Sequence, residues 1–225
     1  MTEPAGDTLV SIPPTARNNS ALLVLGLVSI AIFVASWAWL RGTSRGDDVV
    51  LAEPLPVIAA VPDFALSASD GRTVTRADLL GSPWVVDFIF THCSGPCPTL
   101  TLRMRSLQET LRERGSDAKL LSISLDPTED TPAVMAEYAR RANADPSRWW
   151  FLTGTDEKQV HEMVRNGFLQ TVQRAAPGLG IVHSAYFLVL DSQGRIRAAY
   201  DGIEAESKPK ILAAVDALAR EKVRR

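Results

Sequence analysis

Residues 83–98 read PWVVDFIFTHCSGPCP, and the fold follows from them. Pro83 to Phe90 form a near-continuous apolar run, the pattern of a strand covered on both faces in a central parallel or mixed sheet. Beyond residue 97, Leu100, Met104, Leu107 and Leu111 recur at helical spacing, and Gly115 stops the helix. Between strand and helix lie both cysteines of the chain, spaced C-x-x-x-C as Cys93 and Cys97. A helix N-terminus offers unpaired N–H groups and the positive end of the macrodipole. Both favour thiolate, so the two thiols are expected to be more acidic than free cysteine. The Gly95-Pro96 turn can fold Cys93 back over Cys97, bringing the sulfurs together for a disulfide or around one metal ion.

Outward from this stretch, Lys119–Leu125 (KLLSISL) reads as a second central strand and Trp149–Leu152 as a third. Thr131 caps a helix that starts at Pro132 and runs to about Asn143. Thr155 opens another, carrying Val160, Met163 and Val164. Tyr186–Leu190 and Ile196–Tyr200 flank Asp191-Ser192-Gln193-Gly194, a hairpin signal. Ser207 starts a last helix with Ile211, Leu212, Val215 and Leu218 on one face. Upstream, Phe64–Leu66, the Asp70-Gly71 turn and Arg72–Thr75 suggest a short hairpin. Strand–helix–strand–helix, followed by a hairpin and a helix, is a thioredoxin-like order. The expected fold class is α/β, a central mixed sheet flanked by helices.

Residues 21–40, ALLVLGLVSIAIFVASWAWL, carry no charge. At about 1.5 Å per residue they reach roughly 30 Å, the thickness of a hydrocarbon core, and Trp37 and Trp39 stand where aromatics favour the interface. This is read as one N-terminal transmembrane helix, kept as an uncleaved anchor. Arg17 precedes it while Arg41 and Arg45 follow, a one-residue lean toward an outside N-terminus. Residues 41–60, with Gly, Ser, charges and two prolines, read as a linker, and the folded domain as 61–225. The whole chain of 225 residues is 46% hydrophobic, with 24 Lys+Arg against 26 Asp+Glu. That balance excludes a disordered chain, and the lack of basic excess speaks against nucleic acid as a partner. Two cysteines are too few for a disulfide scaffold.

A disulfide between residues four apart closes a small loop and stabilises little. Three intervening residues give a wider loop than the two of thioredoxin-type reductases, better suited to seating two sulfurs around a metal. Two thiolates favour Cu(I) or Zn(II), and Cu(II) wants a nitrogen as well. Of the three histidines, His92 is expected to alternate to the other face from Cys93. His161 lies among Glu157, Lys158 and Glu162 and reads as a solvated helix residue. His183 lies in a loop after Gly178-Leu179-Gly180, and in a thioredoxin-like fold that loop faces the cysteines.

The chain resembles the SCO/SenC family of membrane-anchored, copper-binding thioredoxin-like proteins over about residues 61–220 and the anchor. The likeness is carried by Pro62-Asp63-Phe64-Ala65-Leu66 with Asp70-Gly71-Arg72, by Phe90–Pro98 (FTHCSGPCP), by Asp126-Pro127-Thr128-Glu129-Asp130-Thr131-Pro132, by His183-Ser184-Ala185, and by Leu190-Asp191 through Gly194-Arg195. It implies Cys93, Cys97 and His183 as ligands to one copper ion, Cu(I) or Cu(II), with Asp126 and Asp130 nearby. It implies delivery to the binuclear copper centre of cytochrome c oxidase or to another cuproprotein, with an upstream copper donor or a thioredoxin-like reductant as further partners. Cys93 and Cys97 could instead cycle as a thiol–disulfide exchange enzyme, or the domain could sense redox state or copper. The resemblance also places the domain outside the bacterial inner membrane, or in the mitochondrial intermembrane space, with residues 1–20 inside, against the charge lean. One departure is Val182, where family members often carry an acidic residue.

Overall fold

The computed structural model describes residues 19–43, 54–175 and 180–223. Most of the 1–20 segment, residues 44–53 of the linker, and Gly178-Leu179 lie outside the described residues. Residues 1–47 and 48–225 form two separate units. In the first, helix α1 (Asn19–Thr43) takes in the whole uncharged stretch 21–40. Among the described residues, which in α1 include side chains only from 24 to 37, no helix is long and apolar enough to cross a membrane.

The second unit runs β1 (Ala59–Ala60), β2 (Ala65–Ala68), β3 (Thr73–Thr75), β4 (Trp84–Ile89), α2 (Cys97–Glu113), β5 (Lys119–Ser124), α3 (Pro132–Arg141), β6 (Trp149–Thr153), α4 (Glu157–Gly167), β7 (Val172–Arg174), β8 (Ile181–His183), β9 (Tyr186–Leu190), β10 (Arg195–Asp201) and α5 (Ser207–Val223). Eight strands make one sheet in the order β1-β10-β9-β4-β5-β6-β2-β3. β4, β5 and β6 are parallel, and the remaining pairings are antiparallel. This is the expected mixed α/β architecture.

All six residues of β4 are buried, as its apolar run predicts. Phe88 meets Phe168 edge-on at 5.3 Å, and the Trp84 indole donates to the Leu79 carbonyl at 2.6 Å. The apolar stripes of α2 (Leu100, Met104, Leu107, Leu111) and α5 (Ile211, Leu212, Val215, Leu218) are buried. Truncating a core aromatic such as Phe88 to alanine costs about 3–5 kcal/mol. The first hairpin forms with Leu66 opposite Val74, and Thr131 caps α3 by accepting from Val134 N.

Four local readings change. The cap of α4 is Asp156, which accepts from Gln159 N at 2.8 Å, one residue beyond Thr155. The last residues of the stretch read as linker are fixed to the domain. Ala59 and Ala60 pair with β10, and the Arg197 guanidinium donates to the carbonyls of Leu55 and Pro56. Arg197 is itself buried, paired with Asp191 at 3.0 Å and Glu221 at 2.9 Å. His161 is buried rather than solvated, with Nε2 2.8 Å from the Leu125 carbonyl, because α4 turns that face onto the end of β5. Finally, His183 ends a strand rather than sitting in a loop. β7 and β8 form a separate two-stranded ribbon with Val172 opposite His183.

Candidate metal centre

The strand–loop–helix stretch and the β7–β8 ribbon bring Cys93, Cys97 and His183 together. One ligand atom from each lies within 4.8 Å of the others. Cys97 is the first residue of α2 and is buried, while Cys93 is partly exposed, and both are free thiols. The loop returns close to its start: a Cβ at Gly95 would sit in ordinary contact with Cys93 Sγ, at 3.7 Å. His183 Nε2 is 3.6 Å from Cys97 Sγ. Its other nitrogen, Nδ1, is 2.9 Å from the Ser184 carbonyl. A carbonyl can only accept, so Nδ1 carries the proton and the Nε2 lone pair faces the sulfur, the orientation that metal-binding imidazoles use. Phe90 packs edge-on against the ring at 5.9 Å.

Burial pushes the His183 pKa below the usual imidazole value, outweighing the hydrogen bond to Ser184 that favours the charged form. The ring is therefore neutral at pH 7, as a ligand must be. For Cys97 the expectation of an acidified thiol is overturned. Burial, reinforced by the neighbouring Cys93 sulfur, pushes its pKa well above that of a free thiol. The helix N-terminus is present, but desolvation of a buried thiolate outweighs it. A cation that binds Cys97 must therefore displace a proton, and in doing so supplies the charge the buried sulfur lacks.

The ligand segments are held by one acidic turn. Asp130, fully buried, accepts from Thr91 N at 3.1 Å and from Ser124 Oγ at 2.6 Å. That fixes the chain two residues before Cys93 to the end of β5. Asp126, four residues earlier, accepts from Arg174 Nη2 at 2.9 Å. Neither aspartate belongs to the Cys-Cys-His group; they hold its supports. His92 is exposed, its Nδ1 3.3 Å from Thr91 Oγ1, and stays outside the group, as does His161. Val182 is exposed.

Sequence reasoning passed over two residues. Asp87 is fully buried in the middle of β4 and accepts from Ser122 Oγ at 2.6 Å. Its second oxygen has no hydrogen-bond partner, and burial raises its pKa to about 7. A lone acidic residue inside an apolar run was its visible signal. Arg174, about a third of the chain away from the cysteines in sequence, gave no signal, because its role depends on the ribbon.

The description SCO1/SenC matches residues 54–220. The SCO1 protein homolog of Bacillus subtilis (strain 168) is 30% identical over 149 residues, covering 66% of this chain and 77% of its own length. Among solved structures, BsSco, described as having a disulfide switch and as a member of the Sco family of cytochrome c oxidase assembly proteins, is 27% identical with a TM-score of 0.69. It covers 76% of this chain and 99% of its own. Bradyrhizobium japonicum ScoI, solved with copper bound, is 25% identical with a TM-score of 0.59, covering 71% and 98%. The chain belongs to the SCO1/SenC family, and its fold is thioredoxin-like.

Proposed function

We propose that this SCO1/SenC protein is a copper metallochaperone that holds one copper ion on Cys93, Cys97 and His183 and passes it to the binuclear copper centre of cytochrome c oxidase or to another cuproprotein. The observation that carries the reading is the convergence of two sulfurs and one lone-pair nitrogen within 4.8 Å. The donor set fits copper. Two soft thiolates suit Cu(I), and the imidazole adds the nitrogen that Cu(II) wants. Zinc in a structural site takes four protein ligands, and among the described residues no fourth His, Cys, Asp or Glu joins the group. The copper bound by Bradyrhizobium japonicum ScoI supports the same choice. Transfer proceeds by ligand exchange: an incoming thiolate joins low-coordinate Cu(I) before one of the two cysteines leaves. The partly exposed edge at Cys93 and His183 is where an acceptor enters, and buried Cys97 is the rear ligand.

A second reading is favoured by the adjacency of the two thiols and by the disulfide switch of BsSco. Cys93 and Cys97 can pass two electrons and two protons to a disulfide in the target, becoming a disulfide themselves and leaving the target's cysteines reduced for metallation. Exchange needs no His183, whereas Cu(II) binding does. Metal analysis and thiol titration of the full-length protein, purified anaerobically in detergent, separate the two. One copper per chain with both thiols protected, lost in Cys93→Ser and Cys97→Ser, is expected. Metal-free protein with a readily reduced disulfide would favour exchange alone.

The anchor is also part of the proposal. Residues 24–37 of α1 expose Val24, Leu25, Val28, Ile32 and Phe33 around its circumference, a surface suited to lipid rather than water. The reading is a single-pass inner-membrane protein with its copper domain on the periplasmic side, or in the intermembrane space if mitochondrial. A reporter fused to the C-terminus that is active only in the cytoplasm would contradict that placement.

A further inference from the structure

His183 lies on a ribbon outside the main sheet, so something must set where that ribbon stands relative to the cysteines. Val172 and Ile181 are buried and fix its depth. At one end of β7 the Arg165 guanidinium of α4 donates to the Val172 carbonyl at 3.1 Å, and at the other end the fixing is ionic. Arg174, the last residue of β7, pairs opposite Ile181, two residues before His183 on the facing strand. Its Nε donates to Glu157 Oε1 at 2.7 Å, and its Nη2 to Glu157 Oε2 at 2.6 Å and to Asp126 Oδ1 at 2.9 Å. Glu157 opens α4, and Asp126 stands in the turn after β5. That turn is closed by a backbone bond: Asp130 N donates to the Asp126 carbonyl at 2.8 Å. Asp130 in turn holds Thr91, at the root of the cysteine loop. One short acidic turn therefore supports both halves of the group, the thiol half through Thr91 and the imidazole half through Arg174.

We propose that Arg174 is the positioning residue for His183: by bridging Asp126 and Glu157 it holds the β7–β8 ribbon so that the imidazole stays in register with the thiol pair. The inference rests on the reading of Cys93, Cys97 and His183 as copper ligands. Its consequence is selective. The two thiolates hold Cu(I) without the ribbon, while Cu(II) depends on the nitrogen, so loosening Arg174 acts on the oxidised site. Arginine suits the task because its planar fork engages two carboxylates at once, which an ammonium cannot reproduce.

The test compares wild type, Arg174→Gln, Arg174→Lys and His183→Ala as full-length proteins in detergent, loaded with Cu(I) or Cu(II). Arg174→Gln is expected to keep one Cu(I) per chain, release Cu(II) about 10- to 100-fold faster, and shift the Cu(II) absorption and nitrogen hyperfine signature toward that of His183→Ala. Arg174→Lys, which keeps the charge but not the fork, falls between, and it also serves if Arg174→Gln does not fold. A Cu(II) release rate and spectrum unchanged in both Arg174 variants would overturn the proposal. So would equal loss of Cu(I) and Cu(II) together with a lowered melting temperature, which is the mark of a merely structural pair. Imidazole 15N shifts of His183 in the metal-free proteins decide the matter independently of copper. A single Nδ1-protonated tautomer in wild type that becomes exchange-averaged in the variants supports positioning, and one unchanged tautomer in all overturns it. An unaltered Cu(II) site in His183→Ala, by contrast, sinks the copper reading itself.

Discussion

Strand β9 has two ends that handle polar groups in opposite ways. Beyond Leu190, Asp191 is buried between Arg195 at 2.6 Å and Arg197 at 3.0 Å, and Arg197 is completed by Glu221 at 2.9 Å. Before Tyr186, His183 meets Cys93 and Cys97 within 4.8 Å, and among the described residues none of the three has a charged partner. At the first end every charge is matched, and the cluster fastens residues 55 and 56 to the sheet. At the second end, lone pairs converge with nothing to neutralise. Buried polar groups are costly unless paired. Matched charges satisfy one another within the chain, whereas a convergence of unmatched donors leaves lone pairs that a cation can take up.

The largest effect expected from breaking this contrast is at the paired end. Arg197→Ala leaves Asp191 and Glu221 short of a cation, at a cost of about 3 kcal/mol or more. Denaturant titration should show that loss, while copper stoichiometry of the folded protein stays unchanged. Full stability in the variant would remove the structural role given to the cluster. At the open end the pattern reverses. His183→Ala should leave stability nearly intact but weaken Cu(II) binding at least 100-fold, equivalent to about 2.7 kcal/mol, in competition titrations. A comparable loss of folding stability would make His183 a packing residue instead.

Asp87 sharpens the comparison, because it is a buried carboxyl paired only with a hydroxyl. Asp191 is held below the usual carboxylate range: burial pushes it up, but hydrogen bonds from Arg195 and Arg197 outweigh it. Asp87 is raised from 3.8 to about 7. Between those values the folded chain holds a proton that the unfolded chain has lost, so stability falls as pH rises through this window. Asp87→Asn should abolish that dependence, gaining about 1–3 kcal/mol over wild type between pH 5 and 8. Parallel pH profiles for the two proteins would show that Asp87 does not titrate there.

How much was legible follows the range of the interactions. The six buried residues of β4, the stripes of α2 and α5 and the Thr131 cap are local patterns, and all are read from neighbouring residues. The Cys93-Cys97-His183 group is named from the sequence by two different routes: the cysteine spacing is local, whereas His183 lies 86 residues from Cys97 and is placed only by assuming the fold. His161 was misread because its acidic neighbours suggest solvent, while the helix face is set by packing on β5. The β7–β8 ribbon has only three residues per strand, too short for periodicity to announce it. The thiol chemistry was misjudged at Cys97, because a sequence shows the helix start but not the depth of burial that raises the pKa.

The most direct measurement is X-ray absorption at the copper edge, on full-length protein loaded anaerobically and then examined as Cu(II). Two sulfur neighbours and one imidazole nitrogen are expected, with the imidazole scattering absent in His183→Ala. A Cu(II) shell without imidazole, or the same shell in wild type and His183→Ala, would contradict a three-ligand centre built from Cys93, Cys97 and His183.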